Sequence, residues 1–266
     1  MIDRYKQYSY EAPLVSVIMA VYNGEDTIEE AILSVVSQSY KNIEFIIIDG
    51  KSTDNSVTIA QKYSSYISHL VSELDQGVYD AWNKAVSLSK GAWLCFMGAD
   101  DRLKSHAIDH YVTFINQYPT SQFDYISSRV ALINASGTVR ETVGSAWDWQ
   151  KYKHYMNVAH VGSFHAKKLF EEIGLFDLTY KIIADYELLL RKGPSLKTGY
   201  MHTVTADMTV GGISDSRKVL QELKELRIKK LGYTPVYANF MYSLAILSRY
   251  IRQFLISVGI QIRLKT

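Results

Sequence analysis

Cysteine occurs once in 266 residues, at Cys95, so no disulfide within the chain can hold this protein together. That suits a reducing compartment. The place of Cys95 inside an apolar run makes it a small core side chain rather than a nucleophile. An excess of one charge is lacking too: 29 Lys and Arg stand against 27 Asp and Glu, a net of +2, which gives no sign of nucleic-acid binding. Met1 to Pro13 has no apolar core of the signal-peptide kind. No uninterrupted membrane span is evident either, since the charge-free stretch Leu231 to Ser248 includes Gly232, Pro235 and Asn239. Repeats and low-complexity stretches are absent. Two phosphate-binding devices are also missing. The turn after the first apolar run, Val21-Tyr22-Asn23-Gly24-Glu25, holds one glycine and an acid where a dinucleotide fold needs a Gly-rich turn, and there is no P-loop.

What is present is a composition fit for a packed core, 47% hydrophobic and 21% charged, and a regular alternation over the first hundred residues. Leu14 to Val21 predicts a buried strand, Glu25 to Ser37 an amphipathic helix, and Ile43 to Asp49 a second strand. Thr53-Asp54-Asn55-Ser56 supplies capping residues for a second helix. Ile67 to Glu73 predicts a third strand, Val78 to Lys90 a third helix and Gly91 to Met97 a fourth strand. Continuously apolar strands alternating with helices imply a mostly parallel sheet covered on both faces. Right-handed crossovers then bring the strand ends to one edge, so Asp49, Asp75 and the pair Asp100-Asp101 should face one cleft. Beyond Asp101 the pattern predicts a helix over Ser105 to Gln117, and a strand over Tyr125 to Ile133 with a return after Asn134-Ala135-Ser136-Gly137. A strand over Val161 to His165 and helices over Lys167 to Ile173 and Ala184 to Arg191 follow.

Asp100 and Asp101 sit where open α/β folds bind ligands, and adjacent carboxylates repel unless a cation lies between them and the ligand. Acids in place of a Gly-rich amide cradle imply phosphate binding through a metal. The cleft therefore suits a nucleotide with a divalent cation.

Four ordered segments carry a resemblance: Ser16-Val17-Ile18-Met19-Ala20-Val21-Tyr22-Asn23, Ile48-Asp49-Gly50-Lys51-Ser52-Thr53-Asp54, Ser72 to Lys84, and Gly98-Ala99-Asp100-Asp101. With His160 to His165, and Gly174-Leu175-Phe176-Asp177 through Ala184-Asp185-Tyr186-Glu187, the chain from Leu14 to Ser214 resembles the family 2 glycosyltransferases of GT-A fold. The resemblance implies an α/β, Rossmann-like catalytic domain over 1–215, with a nucleotide half at 14–101 and an acceptor half at 102–215. A helical extension over 216–266 follows. It further implies an inverting hexosyltransferase acting on a nucleotide-sugar donor, UDP-linked by preference. Its acceptor is a glycan, expected to be lipid-linked, in bacterial surface-polysaccharide assembly at the cytoplasmic face of the membrane.

The implied roles are these. Asp49 accepts hydrogen bonds from the nucleobase, with Tyr22, Asn23 and Glu25 lining its pocket. Asp75 and Asp100 hold the nucleoside or sugar, Asp101 binds Mn²⁺ or Mg²⁺, and Asn83 and Lys84 reach the same region. His202 is a further candidate ligand. Asp185, at a helix start that favours an ionised carboxylate, is the candidate general base, with Glu187 a weaker competitor. His160 and His165 are placed near the acceptor. Lys51 stands where the family often has glycine, which makes its loop less permissive. Gly211-Gly212-Ile213-Ser214 reads as a loop able to close over the donor. A sugar nucleotidyltransferase would also use a metal and an α/β sheet, but it would want a basic Gly-rich loop after the first strand. A non-catalytic sugar- or nucleotide-binding module would not need Asp101 and Asp185.

From Arg217 to Lys230 the chain is rich in Lys and Arg. Met241, Leu244, Ala245, Ile246, Leu247, Ile251, Phe254, Leu255 and Val258 then form an apolar band interrupted by Arg249 and Arg252. Such a basic amphipathic helix suits a membrane surface, and equally a helix packed on the catalytic domain or on a second copy in a homo-oligomer.

Overall fold

The computed structural model describes residues 12–118, 120, 122–134, 136–211 and 218–257. The alternating half comprises β1 (Val15–Val21), α1 (Ile28–Val36), β2 (Ile43–Asp49), α2 (Ser56–Gln61), β3 (His69–Ser72), α3 (Val78–Leu88) and β4 (Trp93–Gly98). β1 pairs in parallel with β2 and β4, and β2 with β3. The registers match Val21 to Asp49, Ala20 to Gly98 and Asp49 to Ser72, so all four strands end at one level. The strands are held from both faces: Val17, Ile18, Met19, Ile46, Ile47, Phe96 and Met97 are all buried. Each such side chain contributes on the order of 1.5–3 kcal/mol, which fixes the strand ends as a rigid platform. At the opposite end of the sheet the buried Glu44 carboxylate accepts hydrogen bonds from Ser16 Oγ at 2.6 Å and the Lys90 backbone N–H at 2.7 Å.

The second half supplies β5 (Arg102–Leu103), α4 (Ala107–Gln117), β6 (Tyr125–Ile133), β7 (Val139–Val143), α5 (Trp149–Tyr152), β8 (Phe164–Ala166), α6 (Lys167–Ile173), α7 (Ala184–Lys192) and β9 (Thr198–Thr209). The strand order is β3-β2-β1-β4-β8-β6-β9-β5, with β7 hydrogen-bonded to β6. β8 is antiparallel to both β4 and β6, which makes the sheet mixed from β4 onward. Tyr111 of α4 stacks on Phe164 of β8 at 4.2 Å between ring centroids, one of the contacts that close the core over this half.

The structure departs from the sequence reading in several places. α1 starts at Ile28, α4 at Ala107 and β8 at Phe164, later than expected. The residues before β8 are a turn, with the Ser163 N–H bonded to the His160 carbonyl at 3.0 Å. β9 was not foreseen. Its residues, Thr-Gly-Tyr-Met-His-Thr-Val-Thr-Ala-Asp-Met-Thr, lack a clean apolar alternation. The β6–β9 register also slips between Ser127 and Val130, so the strand bulges in mid-course.

The chain divides into two compact units, residues 1–211 and 212–266. In the second, α8 (Lys218–Leu231) and α9 (Pro235–Ser257) are helical, and α9 leaves Tyr237, Phe240, Leu244, Leu247 and Ile251 exposed. No helix among the described residues is long and apolar enough to cross a membrane. The proposed closing loop at Gly212-Ile213-Ser214, the amino-terminal stretch 1–11, Ala135 of the β6–β7 turn and Val258 of the apolar band lie outside the described residues.

Candidate active site

At the carboxyl ends of β1, β2 and β3 lies a cleft of about 400 Å³, lined by Val21, Tyr22, Gly50, Leu74, Asp75 and Val78 among others. Tyr22 and Leu74, 66% and 80% exposed, stand at its walls as large apolar side chains open to solvent. Gly50 is needed here for space: a Cβ at that position would lie 2.6 Å from Asp75 Oδ2. Asp75 in turn accepts the Gly77 N–H at 2.9 Å, which fixes its carboxylate on the cleft wall. Asp49 ends β2 fully buried, and its oxygens accept Ser72 Oγ at 2.6 Å and the Ser52 N–H at 3.1 Å. It therefore shapes the loop that forms the cleft.

Two loops meet beside this cleft. Asn23 N–H donates to Ser52 Oγ, Gly24 N–H to Ser56 Oγ and Glu25 N–H to Asp54 Oδ2, at 2.8 to 2.9 Å. In return the Thr53 N–H donates to Asn23 Oδ1 at 2.9 Å and the Asn55 N–H to Glu25 Oε2 at 3.0 Å. The side chains of Asn23 and Glu25 thus cross-link the loops, whereas Tyr22 and Asp75 line the cleft. Lys51 is held at φ +68°, a left-handed conformation that costs a non-glycine residue roughly 1–2 kcal/mol.

Asp101, 5% exposed, follows β4 and accepts the Gly98 N–H at 2.8 Å. Burial pushes its pKa up to about 7, and the neighbouring Asp100 charge adds to the shift. Asp100 is exposed, and its carbonyl accepts Thr209 Oγ1 at 2.7 Å. A buried carboxylate beside a second acid, with no ion-pair partner among the described residues, fits a divalent cation. No group of three or more His, Cys, Asp and Glu capable of holding a metal occurs among the described residues.

Asp185 lies in the first turn of α7, and its Oδ1 lies 2.9 Å from both the Tyr79 hydroxyl and its neighbour's backbone N–H, that of Tyr186. Tyr79 belongs to the first turn of α3, next to Val78 of the cleft wall. The Tyr79 hydroxyl thus links Asp185 to the helix start that borders the cleft.

A profile described as Glycosyl transferase family 2 matches residues 16–159. Over 222 residues the chain is 32% identical to the PGL/p-HBAD biosynthesis glycosyltransferases of Mycobacterium bovis and Mycobacterium tuberculosis, spanning 81% of this chain and 84% of theirs. The chain belongs to glycosyltransferase family 2. An uncharacterized glycosyltransferase of Rickettsia prowazekii is 27% identical over 249 residues, 90% of this chain and 74% of that one. Among solved structures, Staphylococcus aureus TarS residues 1–349 in complex with UDP superposes with a TM-score of 0.62 at 17% identity, covering 93% of this chain and 75% of that one. The Pyrobaculum calidifontis mannosyltransferase PcManGT, in complex with GDP-Man and Mn²⁺, superposes at 0.64 with 17% identity, over 90% and 72%. The fold of this glycosyltransferase is GT-A.

Several expected site residues of the glycosyltransferase have other work. Asn83 Nδ2 donates to the Phe176 carbonyl and its Oδ1 accepts the Phe176 N–H, both at 2.9 Å. It clamps the Gly174–Phe176 segment to α3. Lys84 Nζ donates to the Leu74 carbonyl at 2.8 Å and pairs with Glu73 at 2.9 Å. Burial works against its charge, but Glu73, Asp80 and Asp75 more than offset that and raise its pKa. It braces the β3–α3 loop from behind. His202 sits exposed in the bulged part of β9, while Asp101 adjoins the Arg102–Asp207 pair. Four residues of strand lie between His202 and Asp207, on the order of 10 Å or more, so His202 stands apart from Asp101 along β9.

His160 and His165 are buried in an aromatic cluster. His160 stacks on Trp82 at 5.1 Å and His165 meets Phe96 edge-on at 5.2 Å. Burial lowers the pKa of both, with Asp185 opposing the shift at His160. Glu187, 1% exposed, is bonded by Arg191 Nε at 2.9 and 3.0 Å, while Arg191 Nη1 donates to the Ile173 and Leu175 carbonyls. That ion pair fixes the segment before α7 and removes Glu187 from contention as a base. Glu187→Gln should lower stability by about 2–3 kcal/mol, because it leaves a guanidinium short of its countercharge; a melting temperature within 2 °C of wild type would contradict this.

Proposed function

We propose that this family 2 glycosyltransferase is an inverting, metal-dependent hexosyltransferase. It takes its sugar from a nucleotide donor, a UDP-sugar by preference, and delivers it to a hydroxyl of a lipid-linked glycan acceptor in bacterial surface-polysaccharide assembly. The observation that carries the reading is the joint placement of Asp75, Asp100 and Asp101 at the strand ends with Asp185 tied to the same rim through Tyr79. The nucleotide would lie between Tyr22 and Asp75, with the loop shaped by Asp49 beneath it. Asp101 would hold Mn²⁺ or Mg²⁺, which supplies positive charge to the leaving diphosphate, and Asp100 would hold the nucleoside or sugar. Among the described residues both hydrogen bonds to Asp185 fall on Oδ1, which would leave Oδ2 for an acceptor hydroxyl. That hydroxyl gives its proton to Asp185 as its oxygen attacks the anomeric carbon. The bond to the diphosphate breaks on the opposite face, the nucleoside diphosphate leaves, and configuration inverts.

The donor preference draws support from TarS bound to UDP and to UDP-GlcNAc, and the metal from the mannosyltransferase bound to GDP-Man and Mn²⁺. Turnover of UDP-, GDP- and dTDP-sugars with Mn²⁺, and with chelator, tests both. The expected result is fastest turnover of a UDP-sugar and loss of activity with chelator; full activity in chelator would reject the metal.

A membrane surface as partner is supported by charge partition. Residues 212–266 carry ten Lys and Arg against three Asp and Glu, leaving 19 against 24 in residues 1–211. With the exposed stripe of α9, the carboxyl-terminal unit suits an anionic bilayer, where each basic residue near the surface adds about 1 kcal/mol. Co-sedimentation with vesicles containing phosphatidylglycerol, and weak binding to phosphatidylcholine vesicles, is the expected outcome. Leu244→Glu/Leu247→Glu should lower the bound fraction severalfold; binding unaffected by that change, or by lipid charge, would reject the surface.

A further inference from the structure

Gly77 takes φ +113°, a conformation open to glycine, and turns the chain so that α3 begins at Val78. Val78 lines the cleft, and the next residue, Tyr79, turns inward and is buried. Its ring is held edge-on to Trp82 and against Phe176, each at 5.4 Å between centroids. Ring packing and helix start together leave the phenol little freedom. Its hydroxyl lies 2.9 Å from Asp185 Oδ1 and 2.7 Å from the Ile182 carbonyl oxygen. A phenol has one hydrogen, so these two acceptors share it. The Tyr186 N–H is the other group on Oδ1.

We propose that Tyr79 is the positioning residue of the general base. It fixes Asp185 with Oδ1 engaged and Oδ2 turned to the acceptor. It also ties the base to Asp75–Val78, the segment that lines the donor cleft. The inference rests on Asp185 being the base. A role in folding alone would be served by the bond to Ile182, and loss of that bond would not separate kcat from KM.

Tyr79→Phe keeps the ring and removes the hydroxyl. Transfer kcat should fall about 10- to 100-fold, the scale of a misplaced catalytic group, with donor and acceptor KM within about twofold of wild type. In an Asp185→Asn background the same change should have no further effect on the residual rate, because the group it positions is gone. Wild-type kcat in Tyr79→Phe alongside an inactive Asp185→Asn would overturn the proposal and leave the base standing. Normal transfer by Asp185→Asn would instead remove the base reading itself. If Tyr79→Phe does not fold, replacement of Tyr79 by 3-fluorotyrosine retains ring and hydroxyl but strengthens the donor. A stronger donor on Oδ1 makes the carboxylate a weaker base, so lower kcat at unchanged KM is then expected, and unchanged kcat would overturn the contact on which the proposal rests.

Discussion

Asp185→Asn should reduce sugar transfer by about 10²- to 10⁴-fold, the usual contribution of a general base, while UDP affinity stays nearly unchanged. The amide still accepts the Tyr79 and Tyr186 bonds at Oδ1, so the side chain keeps its place and loses only its capacity to take a proton. The substitution therefore tests chemistry with little disturbance of shape. Donor binding by calorimetry and transfer by product release, measured on the same preparation, separate the two effects. Transfer at the normal rate would remove Asp185 from the mechanism. A parallel loss of donor binding would point to a collapsed cleft.

The second large effect is expected at Asp101. Asp101→Asn keeps an acceptor for the Gly98 N–H and deletes the charge that a cation needs, so stimulation by Mn²⁺ should fall by about 10³-fold, as for other electrostatic groups on a leaving oxyanion. Stability should move the other way. The folded pKa, about 7, lies above the ordinary 3.8, so protonated Asp101 favours the fold at low pH and that contribution is lost as pH rises through about 7. At pH 8 the variant should melt no lower than wild type. Retained metal stimulation in Asp101→Asn would place the cation elsewhere, and a lower melting temperature would attribute lost activity to damage of the fold.

The parallel half was legible because β1, β2 and β4 are continuous apolar runs, and such strands end in register at one edge. The acids after those strands could be placed on that edge from topology alone. Other features depended on partners far away in sequence. Asn83 reads as one turn from the cleft, yet a backbone 93 residues downstream takes both ends of its amide. Lys84 is drawn off by Glu73 on the neighbouring loop. β9 escaped notice because half its positions are threonine, glycine or charged and its bulge breaks the period of two. Tyr79 left one signal: a tyrosine two residues after the glycine that opens a helix sits in the first turn, beside whatever that turn borders.

The reciprocal bonds between Asn23–Glu25 and Ser52–Asn55 make these loops one heritable part. A nucleotide placed as proposed would meet neighbouring loops already set, so little ordering entropy would oppose its entry. Transplanting either loop alone from another glycosyltransferase would strand donors and acceptors on both sides. A change to this part of the rim would therefore have to arrive through the pair together.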